Sequence, residues 1–69
     1  MSKPTTAKYT NHPPNDLFSI FNEVGREVWR ASREADGSIE IYNRKRDRLD
    51  PNGPTYAACI RVLRKYSLI

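Results

Sequence analysis

The sequence has few of the residue types that build metal and disulfide sites. It contains one cysteine, Cys59, and one histidine, His12, among 69 residues. A single cysteine cannot form an internal disulfide, so we do not expect a disulfide-built secreted domain. Zinc sites need three or four cysteine, histidine or carboxylate ligands at short spacings, and the sequence has no such cluster. We therefore expect neither a metal nor another cofactor.

A catalytic pair of cysteine and histidine is not expected either. Such a pair needs its side chains within hydrogen-bond reach and its base held by a third group. His12 lies beside prolines in a polar segment, whereas Cys59 falls among apolar residues and is expected to pack in the core. The three glycines are isolated and form no phosphate-cradling loop. The sequence therefore predicts a protein that is not an enzyme.

Long apolar runs are also missing. The opening residues, MSKPTTAKYT, contain no apolar stretch, and no segment approaches the roughly 20 apolar residues of a membrane span. We therefore expect a cytoplasmic protein without a membrane partner. A chain of 69 residues has room for one domain, and such a domain buries only about 60% of the surface of the unfolded chain.

Residues 1–14 are predicted to be a flexible N-terminal arm, and residues 15–69 are predicted to be a single small domain. The arm contains three prolines and no apolar periodicity, so it has little surface to bury. Within the arm, residues 5–10 have some strand propensity and can add to the edge of a sheet.

The stretch from Asp16 to Tyr42 holds most of the residues that can build a core. A helix is predicted to begin after the Pro13–Pro14 pair, with Asn15 or Asp16 as its cap, because apolar residues then recur at helical spacing. These residues are Leu17, Phe21, Val24, Val28, Ala31 and Ala35.

Two continuations of this helix are consistent with the sequence. In the first, the helix continues to Ala35, which gives a mostly α protein. In the second, Gly25 ends the helix, and residues 27–33 pair as a strand with residues 38–43 across a turn at Glu34–Gly37. The apolar alternation of SIEIYN, residues 38–43, favours the second continuation, because a strand needs a partner and the preceding segment is the nearest one.

A basic loop, a turn and a final helix are predicted to follow. The turn formers of residues 50–54 reverse the chain, and the helix begins near Thr55. The predicted fold class is therefore α+β, with an arm, a helix, a short strand or β-hairpin, and a C-terminal helix. The predicted core comprises Phe18, Phe21, Val24, Trp29, Ile39, Ile41, Ile60 and Leu63.

The clustering of basic residues is the main functional signal. Twelve lysines and arginines against eight acidic residues give a net charge of +4, which favours acidic partners. The predicted binding site combines two basic clusters with the tyrosines beside them: Arg44, Lys45, Arg46, Arg48, Arg61, Arg64, Lys65, Tyr42 and Tyr66. Cations contact phosphates and tyrosines stack on bases, so the first hypothesis is binding of DNA or RNA. A solvated surface explains any one of these charges, and only their clustering supports a site.

The second hypothesis is binding to an acidic protein or nucleoprotein surface. Tryptophan, tyrosine and arginine anchor protein interfaces, although packing in the core also explains Trp29. The small size and the missing catalytic set favour a phage- or mobile-element-type protein that inhibits or modulates a larger host protein or complex. Association into a two-fold homodimer is compatible with both hypotheses.

Overall fold

The structure is a computed structural model that describes residues 2–11 and 16–69. Within these residues, four β-strands precede one α-helix along the chain. The elements are β1 (Pro4–Asn11), β2 (Leu17–Asn22), β3 (Glu27–Arg33), β4 (Ile39–Tyr42) and α1 (Pro54–Lys65).

The strands form one antiparallel sheet in which each strand pairs with the next one along the chain. Tight turns join β2 to β3 and β3 to β4, and each contains a glycine with positive φ, 81° at Gly25 and 89° at Gly37. Glycine adopts this left-handed conformation readily because it has no Cβ. The two glycines therefore allow the short connections that an antiparallel sheet of neighbouring strands requires.

One face of the sheet packs against α1 and forms the core. Successive residues of a strand point to opposite faces, so Phe18 and Ile20 of β2 share a face and are both fully buried. Their partners on this face include Ala31, which pairs with Phe18, and Trp29, which pairs with Ile20. The buried apolar cluster comprises Phe18, Ile20, Trp29, Ala31, Ile41, Cys59 and Leu63.

Contacts at both ends hold α1 on this face. Pro54 lies in the first turn of the helix, where an N–H group would have no partner within the helix. The Tyr56 hydroxyl donates to the Ile39 carbonyl at 2.6 Å and ties the first turn to β4. After the last turn, Arg33 Nη2 of β3 donates to the Leu68 carbonyl at 2.6 Å, which ties the C-terminal end of the helix to the sheet.

The predicted N-terminal helix is wrong, because its first residues form the strand β2. A spacing of four residues fits one face of a helix, but it also places two residues on the same face of a strand. Leu17 and Phe21 have this spacing, and both lie on the side of β2 opposite Phe18 and Ile20. Val24, the next residue of the helical pattern, is 79% exposed in the turn after β2. The mostly α alternative is wrong for the same reason.

Residues 4–11 form β1 at an edge of the sheet instead of a flexible arm. Ala7 and Tyr9 pack against the core, and the Tyr9 ring centroid lies 4.8 Å from that of Phe18. Pro4 is the first residue of this strand, a position at which proline is tolerated in an edge strand. The predicted helix cap at Asn15 and the residues before it from position 12 lie outside the described residues.

The predicted hairpin and the predicted C-terminal helix are confirmed. Strands β3 and β4 pair across the turn at residues 34–37, and α1 begins at Pro54, one residue before Thr55. The predicted core is confirmed in part: Phe18, Trp29, Ile41 and Leu63 are buried, Phe21, Ile39 and Ile60 are half-buried, and Val24 is exposed.

We expect Ile20→Val to lower the free energy of unfolding by about 0.5–1.5 kcal/mol, because it removes a methylene group from a well-packed position. Val24→Ala should change it by no more than about 0.5 kcal/mol, because Val24 lies on the surface. Urea denaturation of both variants measures the difference. Equal losses would contradict the placement of Ile20 in the core and of Val24 in a turn.

Candidate functional site

The face of the sheet opposite α1, here called the open face, carries a row of paired residues. The row consists of Lys8, Ser19, Arg30 and Tyr42, and an isolated bridge pairs Tyr42 with Arg48 beyond β4. Neighbouring strands lie about 4.8 Å apart, so the row spans about 19 Å from Lys8 to Arg48. Its cationic residues alternate with Ser19 and Tyr42 across the sheet.

A polar cluster lies at the centre of the open face. The Ser19 hydroxyl donates to Glu27 Oε2, and Arg30 Nη2 lies 3.1 Å from Glu27 Oε1. The bond from Ser19 is the main reason that the pKa of Glu27 lies below its ordinary value; Arg30 adds to this effect, and burial opposes it. Glu27 is therefore an anion at neutral pH. The Arg30 side chain remains 75% exposed, so it is accessible to a further partner.

Tyr42 is held in place at the β4 end of the row. Its hydroxyl donates to Glu40 Oε1, and this bond raises the pKa of Tyr42 above its ordinary value. Arg48 Nη1 lies 3.8 Å from the other carboxylate oxygen of Glu40. The Tyr42 ring is therefore neutral and anchored at its hydroxyl, beside a carboxylate whose charge Arg48 partly offsets.

The segment Asn43–Asp47, here called the basic turn, is closed by hydrogen bonds. Asn43 Oδ1 accepts from the amides of Lys45 and Asp47 at 2.8 and 3.0 Å. The Arg46 amide donates to the Asn43 carbonyl at 3.0 Å. In the described part of the chain, no carboxylate oxygen lies within 4.0 Å of a side-chain nitrogen of Arg44, Lys45 or Arg46. The basic turn thus combines an ordered backbone with three cations that form no ion pair within these residues.

The basic turn repeats the construction of the two earlier hairpin turns with one difference. In the turn between β2 and β3, Asn22 Oδ1 accepts backbone amides as Asn43 Oδ1 does, and Gly25 adopts the positive φ. Gly37 occupies the same position as Gly25 in the turn between β3 and β4. Arg46, with a φ of 66°, occupies this position in the basic turn. The left-handed conformation costs a residue with a Cβ about 1–2 kcal/mol. The third turn therefore presents a guanidinium group where backbone stability favours glycine.

A groove of about 580 Å³ lies between the open face and the basic turn. Val28 and Tyr42 are half-buried in its lining, whereas Arg30, Arg44 and Arg46 are exposed. The groove thus combines apolar and aromatic surface with a cationic rim. Its lining residues are Leu17, Glu27, Val28, Arg30, Ala31, Ser32, Tyr42, Asn43, Arg44 and Arg46.

The predicted site residues divide between two surfaces. Tyr42, Arg44 and Arg46 line the groove. Lys45 lies on the basic turn and Arg48 directly after the turn, so both are close to the groove. The others lie on or just after α1, which packs on the opposite face of the sheet: Arg61, Arg64, Lys65 and Tyr66.

Tyr66 shows how far apart these surfaces are. Its hydroxyl lies 3.5 Å from the carbonyl oxygen of Thr5, so it sits beside β1, the edge of the sheet farthest from Tyr42 on β4. Its ring already has a cation beside it, Lys65 Nζ at 5.7 Å from the ring centroid. The structure does not bring the two predicted tyrosines into one site.

Sequence reasoning missed the residues that the sheet brings to the open face. Lys8 lay in the predicted arm and Phe21 in the predicted helix, yet Lys8 Nζ lies 5.5 Å from the centroid of the Phe21 ring. Leu17 and Val28 belonged to the apolar pattern of the predicted helix but line the groove, where Leu17 is 40% exposed. Phe18 and Ile20 are buried two residues apart, but apolar Leu17 and Phe21 lie on the other face of β2, so the sequence LFSIFN has only a partial period of two.

Cys59 packs in the core, as the sequence predicts. It is fully buried, and burial raises the pKa of its thiol to about 12. A thiol that stays protonated is a poor nucleophile and a poor metal ligand. Among residues 2–11 and 16–69, no three histidine, cysteine, aspartate or glutamate residues gather in an arrangement that could hold a metal ion.

Comparison with known proteins identifies no relative. No protein-family model, no curated protein and no solved structure matches this chain. Among the described residues, α1 has 12 residues and is too short to span a membrane.

Ser19→Ala should raise the pKa of Glu27, because it removes the hydrogen bond that contributes most to lowering it. A lowered carboxyl pKa stabilises the fold above the unfolded-state pKa, about 4.3 for glutamate, and this stabilisation is lost as the pH falls through the folded-state pKa. The variant should therefore lose less stability on acidification. Side-chain carboxyl NMR titration measures the pKa directly.

Asp36 is the internal control for this titration. Hydrogen bonds from Ser38 hold its pKa below the ordinary value, and Ser19→Ala leaves those bonds in place. An unchanged Glu27 titration, or an equal change at Asp36, would contradict the assigned cause.

Arg46→Gly should raise the free energy of unfolding by up to about 1 kcal/mol, because glycine adopts positive φ without strain. The gain is smaller than the strain itself, because glycine also increases the entropy of the unfolded chain. Arg44→Gly in the same turn, at a residue without a positive φ, is the control and should not be stabilising. Thermal and urea denaturation measure both effects. Loss of stability in Arg46→Gly would show that the Arg46 side chain has a structural role.

Proposed function

We propose that this protein is a non-enzymatic nucleic-acid-binding protein whose binding surface is the open face together with the basic turn. The observation that carries the proposal is the hydrogen-bonded turn that holds Arg44 and Arg46 beside a sheet face bearing Lys8 and Arg30. Lysine and arginine side chains contact phosphates, and neutralising phosphates releases counterions into solution. A fixed set of accessible cations on one surface has the charge complementarity that such binding needs.

The position of Arg46 adds support to this proposal. Two turns of the same construction have glycine at the residue with positive φ, Gly25 and Gly37, and the basic turn has arginine. Strained backbone positions are a reason to look for function at that residue. The Arg46 side chain makes no ion pair within the described residues, so it is available for a contact with a ligand.

The aromatic residues of the open face fit the same ligand. Phe21 lies beneath Lys8, and Tyr42 lies between Arg30 and Arg48 in the row across the sheet. Proteins that bind nucleic acid combine cations for the backbone with aromatic rings for the bases. The open face has both, whereas α1 presents cations and Tyr66 on a separate surface.

Binding of fluorescently labelled DNA and RNA should weaken steeply with salt. If four cations contact phosphates, affinity should fall about 50- to 150-fold between about 50 and 200 mM salt, through counterion release. Fluorescence anisotropy at several salt concentrations measures this slope. Absence of binding to both DNA and RNA at the lowest salt would refute the proposal and favour an acidic protein or nucleoprotein surface as the partner.

Two double variants of equal charge then locate the surface. Arg44→Ala with Arg46→Ala should weaken binding strongly and reduce the magnitude of the salt slope by about 1.5, since each lost phosphate contact removes about 0.7–0.9. Arg61→Ala with Arg64→Ala on α1 removes the same charge and should leave the slope nearly unchanged. Thermal melting confirms that both variants fold. Equal losses of slope in the two variants would contradict the placement of the site at the groove.

A further inference from the structure

We propose that the groove beside the basic turn holds one unpaired base stacked on Tyr42, so that the ligand is single-stranded rather than duplex nucleic acid. This inference rests on the proposed function and assigns the form of nucleic acid. Its starting observation is the lining of the groove, in which half-buried Val28 and Tyr42 lie next to exposed Arg44 and Arg46. The ligand must therefore present a flat, partly apolar group close to negative charge.

The size of the groove fits this occupant. Its volume of about 580 Å³ lies within the range of about 300–1,000 Å³ that is typical of sites for small organic molecules. A phosphate group alone would use the arginines but would leave Leu17, Val28 and Tyr42 without a contact. A nucleotide uses both parts of the lining, with its base against the apolar and aromatic side chains and its phosphate at the arginines.

Duplex nucleic acid does not satisfy the same surface. Its bases are paired and stacked on one another, and moving one out of the helix costs a few kcal/mol. A duplex laid on the open face would therefore contact the cationic rim and leave the groove empty. A single strand has exposed base faces and can fill the groove without that cost.

A hydrogen bond holds the Tyr42 ring in a position where a base could stack on it. Its hydroxyl donates to Glu40, so the ring is tied down at one end while part of its surface lines the groove. The nucleic-acid strand can continue from the basic turn across the row of the sheet toward Arg30 and Lys8. Lys8 lies three β-strand spacings, about 14 Å, from Tyr42. Phosphates on either side of the bound base then lie near cations of this row and of the basic turn.

The first test compares a single-stranded oligonucleotide with a duplex of the same sequence, each as DNA and as RNA. We expect at least tenfold tighter binding of the single strand at moderate salt. Tyr42→Leu, which keeps apolar bulk in β4 but has no ring, should weaken single-strand binding by about 5- to 150-fold, the range for loss of one stacked base. Tyr42→Phe keeps the ring but loses the bond to Glu40 that holds it, so its affinity should lie between those of the parent and Tyr42→Leu. Tyr66→Leu on the other surface should have no effect.

The second test uses a strand that has phosphates and sugars but no bases. This abasic strand should bind more weakly than the normal strand, by a factor at least as large as the effect of Tyr42→Leu. Tyr42→Leu should weaken its binding no further, because the ring then has no base to contact. Denaturation curves confirm that each variant is folded, so a loss of affinity cannot be mistaken for unfolding.

The outcomes separate this inference from the proposed function. Duplex binding that is as tight as single-strand binding, or full single-strand affinity in Tyr42→Leu, would overturn the stacked base and leave a nucleic-acid-binding protein that recognises phosphates. A failure to bind any of the oligonucleotides at low salt would refute both.

Discussion

The packing of α1 on one face of the sheet is the contact on which the rest of the structure depends. Phe18 and Ile20 are fully buried there, and each lies between partners on β1 and β3 while facing the helix. A chain of 69 residues has few other large apolar residues to bury, so this layer supplies most of the hydrophobic stabilisation. Because strand residues alternate, burying Phe18 and Ile20 on one face of the sheet turns the residues between and beside them toward the other face.

The open face is a direct consequence of that alternation. Lys8, Ser19, Arg30 and Tyr42 lie on it because their neighbours in each strand are needed in the core. Antiparallel sheets commonly have one solvated face, and polar residues on such a face are expected whether or not the face binds a ligand. What distinguishes this face is the basic turn at its β4 edge, which adds accessible arginines and closes one side of a groove.

The turns determine how the basic residues are presented. Asn22 and Asn43 each use their side-chain oxygen to hold the amides of the following turn, so the chain reverses in the same way at two places. At Gly25 and Gly37 the left-handed residue has no side chain to present. At Arg46 it has one, and presenting it costs about 1–2 kcal/mol of backbone free energy.

The sequence alone was enough to predict the β3–β4 hairpin and α1, because each depends on a short segment. The alternation of residues 38–43 and the Asp36–Gly37 turn predicted the β3–β4 hairpin, and the turn formers before Thr55 predicted α1. These features depend on contacts within a few residues or on backbone conformations that only some residues adopt, so the local sequence contains the necessary information. The clustering of basic residues near Arg44 was equally visible.

The strand β2 and the division of the charged surface were decided only by the tertiary structure. Leu17 and Phe21 have a spacing that fits both a helix face and a strand face, and the choice depended on partners in β1 and β3 that lie elsewhere in the chain. In the same way, nothing local shows that the basic residues of α1 and those of the basic turn lie on opposite sides of the sheet. Such facts follow from which face each element buries, and burial is a property of the whole packed chain.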